Sequence, residues 1–202
     1  CGSDCRADSG VAELSVPEFI RIIDRLTPHV NPNQLLVIFT GGEALVRQDI
    51  EEAGLALYHR GYPWGIVTNG MLLSAERLEK LRSAGLHTAT VSLDGFAEAH
   101  NRLRGHPLSY ERAWRAIQLL TKAEDIVWDV VTCVNPMNFD SLPALRQHLV
   151  NAGVKRWRLF SIFPVGRAAE NEQLRLSDSQ LYQLMQFIVA TNREGQIEAQ
   201  YG

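Results

Sequence analysis

The sequence predicts an α/β chain built on parallel strands, and three observations predict it. Five short β-branched runs alternate with longer amphipathic stretches. The runs are mostly apolar, as strands buried on both faces are. Polar and glycine residues replace the apolar pattern where each run ends, which is where ligands bind in parallel sheets. Strand alternating with helix implies right-handed crossovers. The run ends at Thr40, Thr68, Ser92, Thr132 and Ser161 are spaced by 28, 24, 40 and 29 residues, which suits a β/α barrel or an open doubly wound sheet.

Each element has its own signal. Ser15-Val16-Pro17-Glu18 forms a capping box with proline in the first turn, and Phe19, Ile22, Ile23 and Leu26 supply an apolar stripe. Leu35–Thr40 (LLVIFT) is the first strand, and residues 44–60 hold a helix. Gly65–Thr68 is the second strand. Ser74 caps the next helix, Leu73 and Leu78 sit at staple spacing, and Gly85 terminates it. Thr88–Leu93 is the third strand. The long interval that follows has room for an extra loop between Asp94 and Tyr110, with His100 and His106 as surface groups. Tyr110–Lys122 and Leu142–Asn151 read as helices flanking the strand Ile126–Val134. Arg156–Ile162 is the fifth strand. Ser177 and Gln180 form a second capping box before Leu181, Leu184, Met185 and Ile188.

The 202 residues suit one domain, 1–202, with a sizeable core. Apolar content of 46% and charged content of 21% are those of an ordinary soluble globular chain. Twenty basic and 23 acidic residues leave a net charge of −3, which gives no reason to expect nucleic acid. No apolar run approaches the roughly 18 residues of a membrane span, and no signal peptide opens the chain. Three cysteines, Cys1, Cys5 and Cys133, do not suggest a disulfide framework. A reducing cytoplasm is the expected compartment, with Cys133 as a small core residue.

The strand ends carry the candidate chemistry. They are Gly41-Gly42-Glu43, Thr68-Asn69-Gly70, Ser92-Leu93-Asp94-Gly95, Thr132-Cys133-Val134-Asn135, and Ser161 followed by Phe163-Pro164-Val165-Gly166-Arg167. Glycines let a backbone approach a ligand and take positive φ. A carboxylate beside two glycines accepts an ammonium, while Ser92 and Arg104 answer a carboxylate. Together these groups suggest a zwitterion site. Each also has an ordinary reading: Gly41-Gly42, Asn69-Gly70 and Asp94-Gly95 as turns, Arg104 as a solvated arginine. Joint placement at successive strand ends favours the site.

With these residues in view, the chain resembles the radical S-adenosylmethionine (SAM) superfamily over nearly its whole length. It is most similar to the branch of peptide- and cofactor-maturing enzymes, many with a C-terminal SPASM-type cluster domain. Gly41-Gly42-Glu43 resembles the GGE motif that holds the methionine ammonium of SAM, and Thr68-Asn69-Gly70 resembles the third-strand TNG. Ser92-Leu93-Asp94-Gly95 with His100-Asn101-Arg102-Leu103-Arg104-Gly105 resembles the fourth-strand signature, whose serine and second arginine approach the SAM carboxylate or ribose. The resemblance implies a partial (β/α)6 TIM-like barrel, with the five runs as its second to sixth strands. It makes Cys1-Gly2 the third cysteine of the C-x3-C-x2-C motif, with the first strand, two cluster ligands and part of the cluster loop upstream. A C-terminal extension is also expected beyond this core.

If Cys1 were instead the first ligand, Cys5 would be the second and the third would fall on Asp8, so neither alignment completes the motif. Zinc on Cys1 and Cys5 fits the spacing but lacks a second pair.

In the full protein the resemblance implies a [4Fe–4S] cluster held by three thiolates, with one iron open to SAM. Glu43, Ser92 and Arg104 would orient SAM, and the backbone at Val134 and the Phe160–Phe163 strand end would lie near the adenine. Reductive cleavage would then generate a 5′-deoxyadenosyl radical that abstracts hydrogen from a peptide, protein or small-molecule substrate. A flavodoxin or ferredoxin would donate the electron. The present chain alone is expected to be inactive. Two rival readings stand beside this one. The first is a cluster-free β/α-barrel lyase or hydrolase using Glu43 and Asp94 as an acid/base pair. The second is a barrel scaffold without catalysis.

Overall fold

The computed structural model describes Gly10, residues 12–163 and residues 171–202. Six strands form one sheet in chain order: β1 (Val37–Phe39), β2 (Trp64–Thr68), β3 (Leu86–Ser92), β4 (Val127–Val134), β5 (Arg156–Ser161) and β6 (Glu198–Tyr201). All neighbours pair in parallel. The sheet is open, with β1 and β6 as its edges. The helices between are α1 (Val16–Leu26), α2 (Ile50–Tyr58), α3 (Ala75–Ser83), α4 (Ala97–Arg104), α5 (Ser109–Leu120), α6 (Leu142–Asn151) and α7 (Asp178–Glu194). This is the expected parallel α/β partial barrel. Among the described residues no helix is long and apolar enough to cross a membrane.

The caps form as the sequence implies. Ser15 and Glu18 close the box at α1, and Ser177 and Gln180 do so at α7. Ser74 Oγ accepts the Arg77 N–H at α3, and Gly85 leaves that helix at φ +84°. The stripe on α1 differs from expectation. Val16, Ile20 and Ile23 are buried, whereas Ile22 and Leu26 are exposed. The helix docks on α2 through Ala53, and that contact decides its rotation.

Helix-facing side chains of the strands build the core. Trp64, Ile66, Ala89, Val91, Val130, Trp157 and Leu159 pack with Leu57, Leu81, Ile117, Leu145 and Leu184. The opposite, concave face is only partly buried, not sealed as the apolar runs suggested. Leu36, Ile38 and Val127 are 40%, 49% and 43% exposed. They line a cavity of about 270 Å³ with Thr88, Asp129 and Arg158. An open sheet covers only its convex face with helices, so inward positions stay accessible.

Two elements escape the sequence pattern. Strand β6 (EAQY) is polar, and only Ala199 is buried, so it carries no apolar run. Helix α4 replaces the expected extra loop. Its sequence AEAHNRLR lacks an apolar stripe, yet Gly105 ends it in the left-handed conformation at φ +68°. His100 is consequently a buried helix residue, not a surface group, while His106 is exposed.

A buried chain of hydrogen bonds ties three strands together. Trp157 Nε1 donates to Thr132 Oγ1 at 2.8 Å, and Thr132 Oγ1 donates to the Leu93 carbonyl at 2.6 Å. The indole also meets Phe187 of α7 edge-on at 5.9 Å. Trp157→Ala is expected to cost about 3–5 kcal/mol in a denaturant titration. Trp157→Phe, which loses mainly the hydrogen bond, should cost about 1–2 kcal/mol.

Candidate functional site at the strand ends

Glu43 stitches the ends of β1 and β2. It begins a short 3-10 turn at Ala44, and its Oε1 accepts the Leu45 N–H at 3.1 Å. Thr68 Oγ1 donates to Oε1 at 2.6 Å, and the Asn69 N–H donates to Oε2 at 2.7 Å. A carboxylate has about four acceptor sites. Three are in use, and one on Oε2 remains. Thr68 and Asn69 therefore orient Glu43. Asn69 Oδ1 is itself engaged by the Met71 N–H at 2.8 Å, closing a turn. Ahead of Glu43, Gly41 lies at φ +124°, and a Cβ built there would meet nothing within 4 Å. The dihedral demands glycine, and the space beside it is open. Gly42 is likewise exposed.

Asp94 organises the next two strand ends. Its side chain is 0% exposed. Oδ1 accepts the Cys133 N–H at 2.9 Å, and Oδ2 accepts Arg104 Nε at 2.6 Å. Its backbone is gripped from both sides. The Asp94 N–H donates to His100 Nδ1 at 2.9 Å, and Asn138 Nδ2 donates to the Asp94 carbonyl at 2.6 Å. Asp94 is thus sealed from solvent among protein groups, and the acid/base pair of the rival reading has no exposed second member.

Arg104 is held differently from the other inward arginine. Burial works against its charge, but the Asp94 charge and hydrogen bond outweigh burial and raise its pKa, helped by Cys133 and Glu43. Arg104 therefore stands in the fields of both strand-end carboxylates. Only its Nε is committed, so the terminal fork of Nη1 and Nη2 has no hydrogen-bond partner among the described residues. Arg158, deeper on the concave face, spends Nε and Nη2 on Asp129, and Nη2 also donates to Thr90 Oγ1 at 2.8 Å. Two parallel N–H groups suit a carboxylate, and Arg104 keeps them where Arg158 does not.

The remaining predicted residues fall on the same rim. Ser92 ends β3, and its hydroxyl has no partner among the described residues and is not sealed from solvent. Val134 ends β4 fully buried, so only its backbone is available at that end. Cys133 is a free thiol whose pKa is raised by burial and then by the Asp94 charge, with Arg104 opposing. It is half-buried on the face away from the core, not the core residue expected, and a protonated thiol is a poor nucleophile or metal ligand. Cys1, Cys5 and the Pro164-Val165-Gly166-Arg167 stretch lie outside the described residues. Among the described residues no three His, Cys, Asp or Glu side chains gather as a metal site.

Sequence reasoning missed His100 and Asn138. His100 lies four residues before Arg104, one turn apart on the same face of α4, a signal visible only once α4 is recognised. Asn138 Oδ1 accepts the Asn135 N–H at 2.9 Å, in a turn that Asn-Pro-Met-Asn could have suggested.

Fold and rim together define a parallel β/α-sheet protein with a candidate ligand site at the carboxyl ends of its strands. Residues 2–149 match the profile of the Radical SAM superfamily, and the chain belongs to that superfamily. It is 31% identical over 186 residues to an AdoMet-dependent heme synthase of Methanosarcina barkeri (strain Fusaro / DSM 804), covering 88% of this chain and 52% of that protein. It is 28% identical over 171 residues to the sporulation killing factor maturation protein SkfB of Bacillus subtilis (strain 168), covering 83% and 41%. Streptococcus suis SuiB bound to S-adenosylmethionine shares the fold at a TM-score of 0.77 and 14% identity, covering 98% of this chain and 44% of that one. The chain spans about half the length, or less, of the curated relatives it matches.

The environment of His100 sets a pH dependence. Burial is the largest effect and lowers its pKa to about 4; the Asp94 charge opposes, the Arg104 charge assists and the Ser109 backbone opposes. The unfolded histidine titrates near its ordinary value of about 6.5. Between those values the unfolded chain binds the extra proton, so stability falls as pH drops through that window and levels off below it. The share due to His100 is at most about 3 kcal/mol. Urea titrations from pH 7 to pH 4 should show this slope, and His100→Gln should flatten it.

Proposed function

We propose that this chain is the SAM-binding core of an enzyme that cleaves S-adenosylmethionine reductively and removes hydrogen from a substrate during peptide, protein or cofactor maturation. The observation that carries the reading is the free terminal fork of Arg104, fixed by Asp94 at the same rim as Ser92 and Glu43. Methionine has one ammonium and one carboxylate, and this rim offers one acceptor carboxylate and one bidentate donor.

The donor set fits the methionine end of SAM. Glu43 takes the ammonium on its remaining acceptor site, with Thr68 and Asn69 fixing the carboxylate. Arg104 takes the SAM carboxylate through its two Nη groups, and Ser92 adds a hydroxyl. Gly41 and Gly42 let the backbone approach. The backbone at Val134 and the Phe160–Phe163 strand end border the adenine. When bound, the [4Fe–4S] cluster supplies the electron that breaks the sulfonium C–S bond, and the hard chemistry is the cofactor's. Cys1 is assigned as one cluster ligand. An electron donor such as a flavodoxin or ferredoxin completes the system in the cytoplasm.

Names among the relatives support a maturation role on two kinds of substrate: a heme synthase, and a maturation protein for a killing factor. Streptococcus suis SuiB bound to precursor peptide SuiA shares the fold at a TM-score of 0.78 and 14% identity, which supports a peptide among the candidate substrates.

In the anaerobically reconstituted full-length protein, Glu43→Ala should raise the SAM dissociation constant about 10- to 100-fold, the value of a charge-assisted contact. Iron content should stay unchanged. Equilibrium dialysis and iron analysis check this, and loss of iron with unaltered SAM affinity would overturn the role of Glu43. Chromatographic assay for 5′-deoxyadenosine should find it with the full-length protein under reduction and not with the 202-residue chain, whose cysteines are Cys1, Cys5 and Cys133.

A further inference from the structure

We infer that His100 is a positioning residue for Arg104, acting through the backbone of Asp94. The inference rests on the SAM reading above and extends it to a residue that never touches the ligand.

His100 is 1% exposed, and its Nδ1 accepts the Asp94 N–H at 2.9 Å. An accepting Nδ1 carries no proton, so in the neutral ring the proton sits on Nε2. Nε2 is sealed from solvent and faces the Ser109 backbone without a well-formed hydrogen bond. A buried donor so poorly paired carries a desolvation cost. An apolar side chain of similar volume would remove that cost but leave the Asp94 N–H unpaired. What the histidine supplies that an apolar side chain cannot is the acceptor for that N–H.

That place closes a ring. Asp94 follows β3, and the chain turns at Gly95, with φ +143°, into α4. Four residues apart on α4, His100 returns to the Asp94 N–H and Arg104 returns to the Asp94 carboxylate. Two attachments one helical turn apart fix the rotation of α4 about its axis as well as its distance from β3. Fixing that rotation aims the free fork of Arg104. Asn138 holds the Asp94 carbonyl from the β4 side, so the anchor itself cannot swing. The charged groups around the imidazole are Asp94, 3.6 Å away at Oδ2, and Arg104, while Tyr110 meets it edge-on from α5. Burial keeps the ring neutral at physiological pH, which preserves Nδ1 as an acceptor.

The test is a double-mutant cycle on SAM affinity in the full-length reconstituted protein, read by equilibrium dialysis with iron content measured in parallel. His100→Leu should raise the SAM dissociation constant about fivefold to thirtyfold, with iron retained. His100→Gln, which keeps an acceptor, should recover most of the loss. In an Arg104→Ala background His100→Leu should have no further effect, because the fork it aims is gone. An equal factor in both backgrounds, or no change in the wild-type background, overturns the role of His100 alone. No weakening by Arg104→Ala overturns the carboxylate contact, and no SAM binding by the wild type overturns the SAM reading itself. If His100→Leu does not fold, His100→Phe takes its place in the same cycle with the same expectations.

Discussion

A carboxylate with no exposed surface must have its charge met by the protein, and Asp94 imposes that constraint on everything around it. An arginine from α4 pairs with it, a backbone amide from β4 bonds it, and buried histidine and asparagine side chains grip its main chain. The carbonyl just before it is taken by Thr132, which in turn is held by Trp157. Three strands and one helix are thereby registered on a single residue. Removing Arg104 would strand a buried charge, and removing a neutral member would leave a buried polar group unpaired, so the network behaves as a unit.

The same logic, less buried, operates at the other end of the rim. Glu43 bonds β2 through Thr68 and Asn69, so β1 and β2 end in a shared carboxylate just as β3 and β4 do. The two differ in accessibility. Asp94 is spent on protein groups and aims a cation. Glu43 keeps an acceptor site at a rim where Gly41 and Gly42 leave open space. A ligand with one cationic and one anionic end reads both at once.

Below the rim, the concave face carries a closed cluster of Thr90, Asp129 and Arg158. Its charges are internally matched, so it contributes a neutral polar floor to the cavity between exposed Leu36, Ile38 and Val127. Electrostatic selectivity therefore resides at the strand ends.

Much of this was legible from the sequence, and the reason is local. Capping boxes at Ser15 and Ser177, the Ser74 cap, the Gly85 stop and the apolar runs depend on neighbours a few residues away. The positions of Glu43 and Ser92 were legible too, because polar residues interrupting apolar runs mark strand ends; Arg104 instead closes α4, and its place beside Asp94 needed the fold. Strand β6 and helix α4 were not, since neither has an apolar period. Strand β6 is defined by pairing with β5 and by Ala199 beneath α7; helix α4 is defined by attachment to Asp94. Sequence alone determined the order of the elements and the chemical identity of the strand-end groups. Only the tertiary structure decided which carboxylate is open and which is sealed, and which arginine keeps a free fork. Those properties come from partners 10 to 68 residues away along the chain, brought together by parallel pairing, which no local pattern encodes.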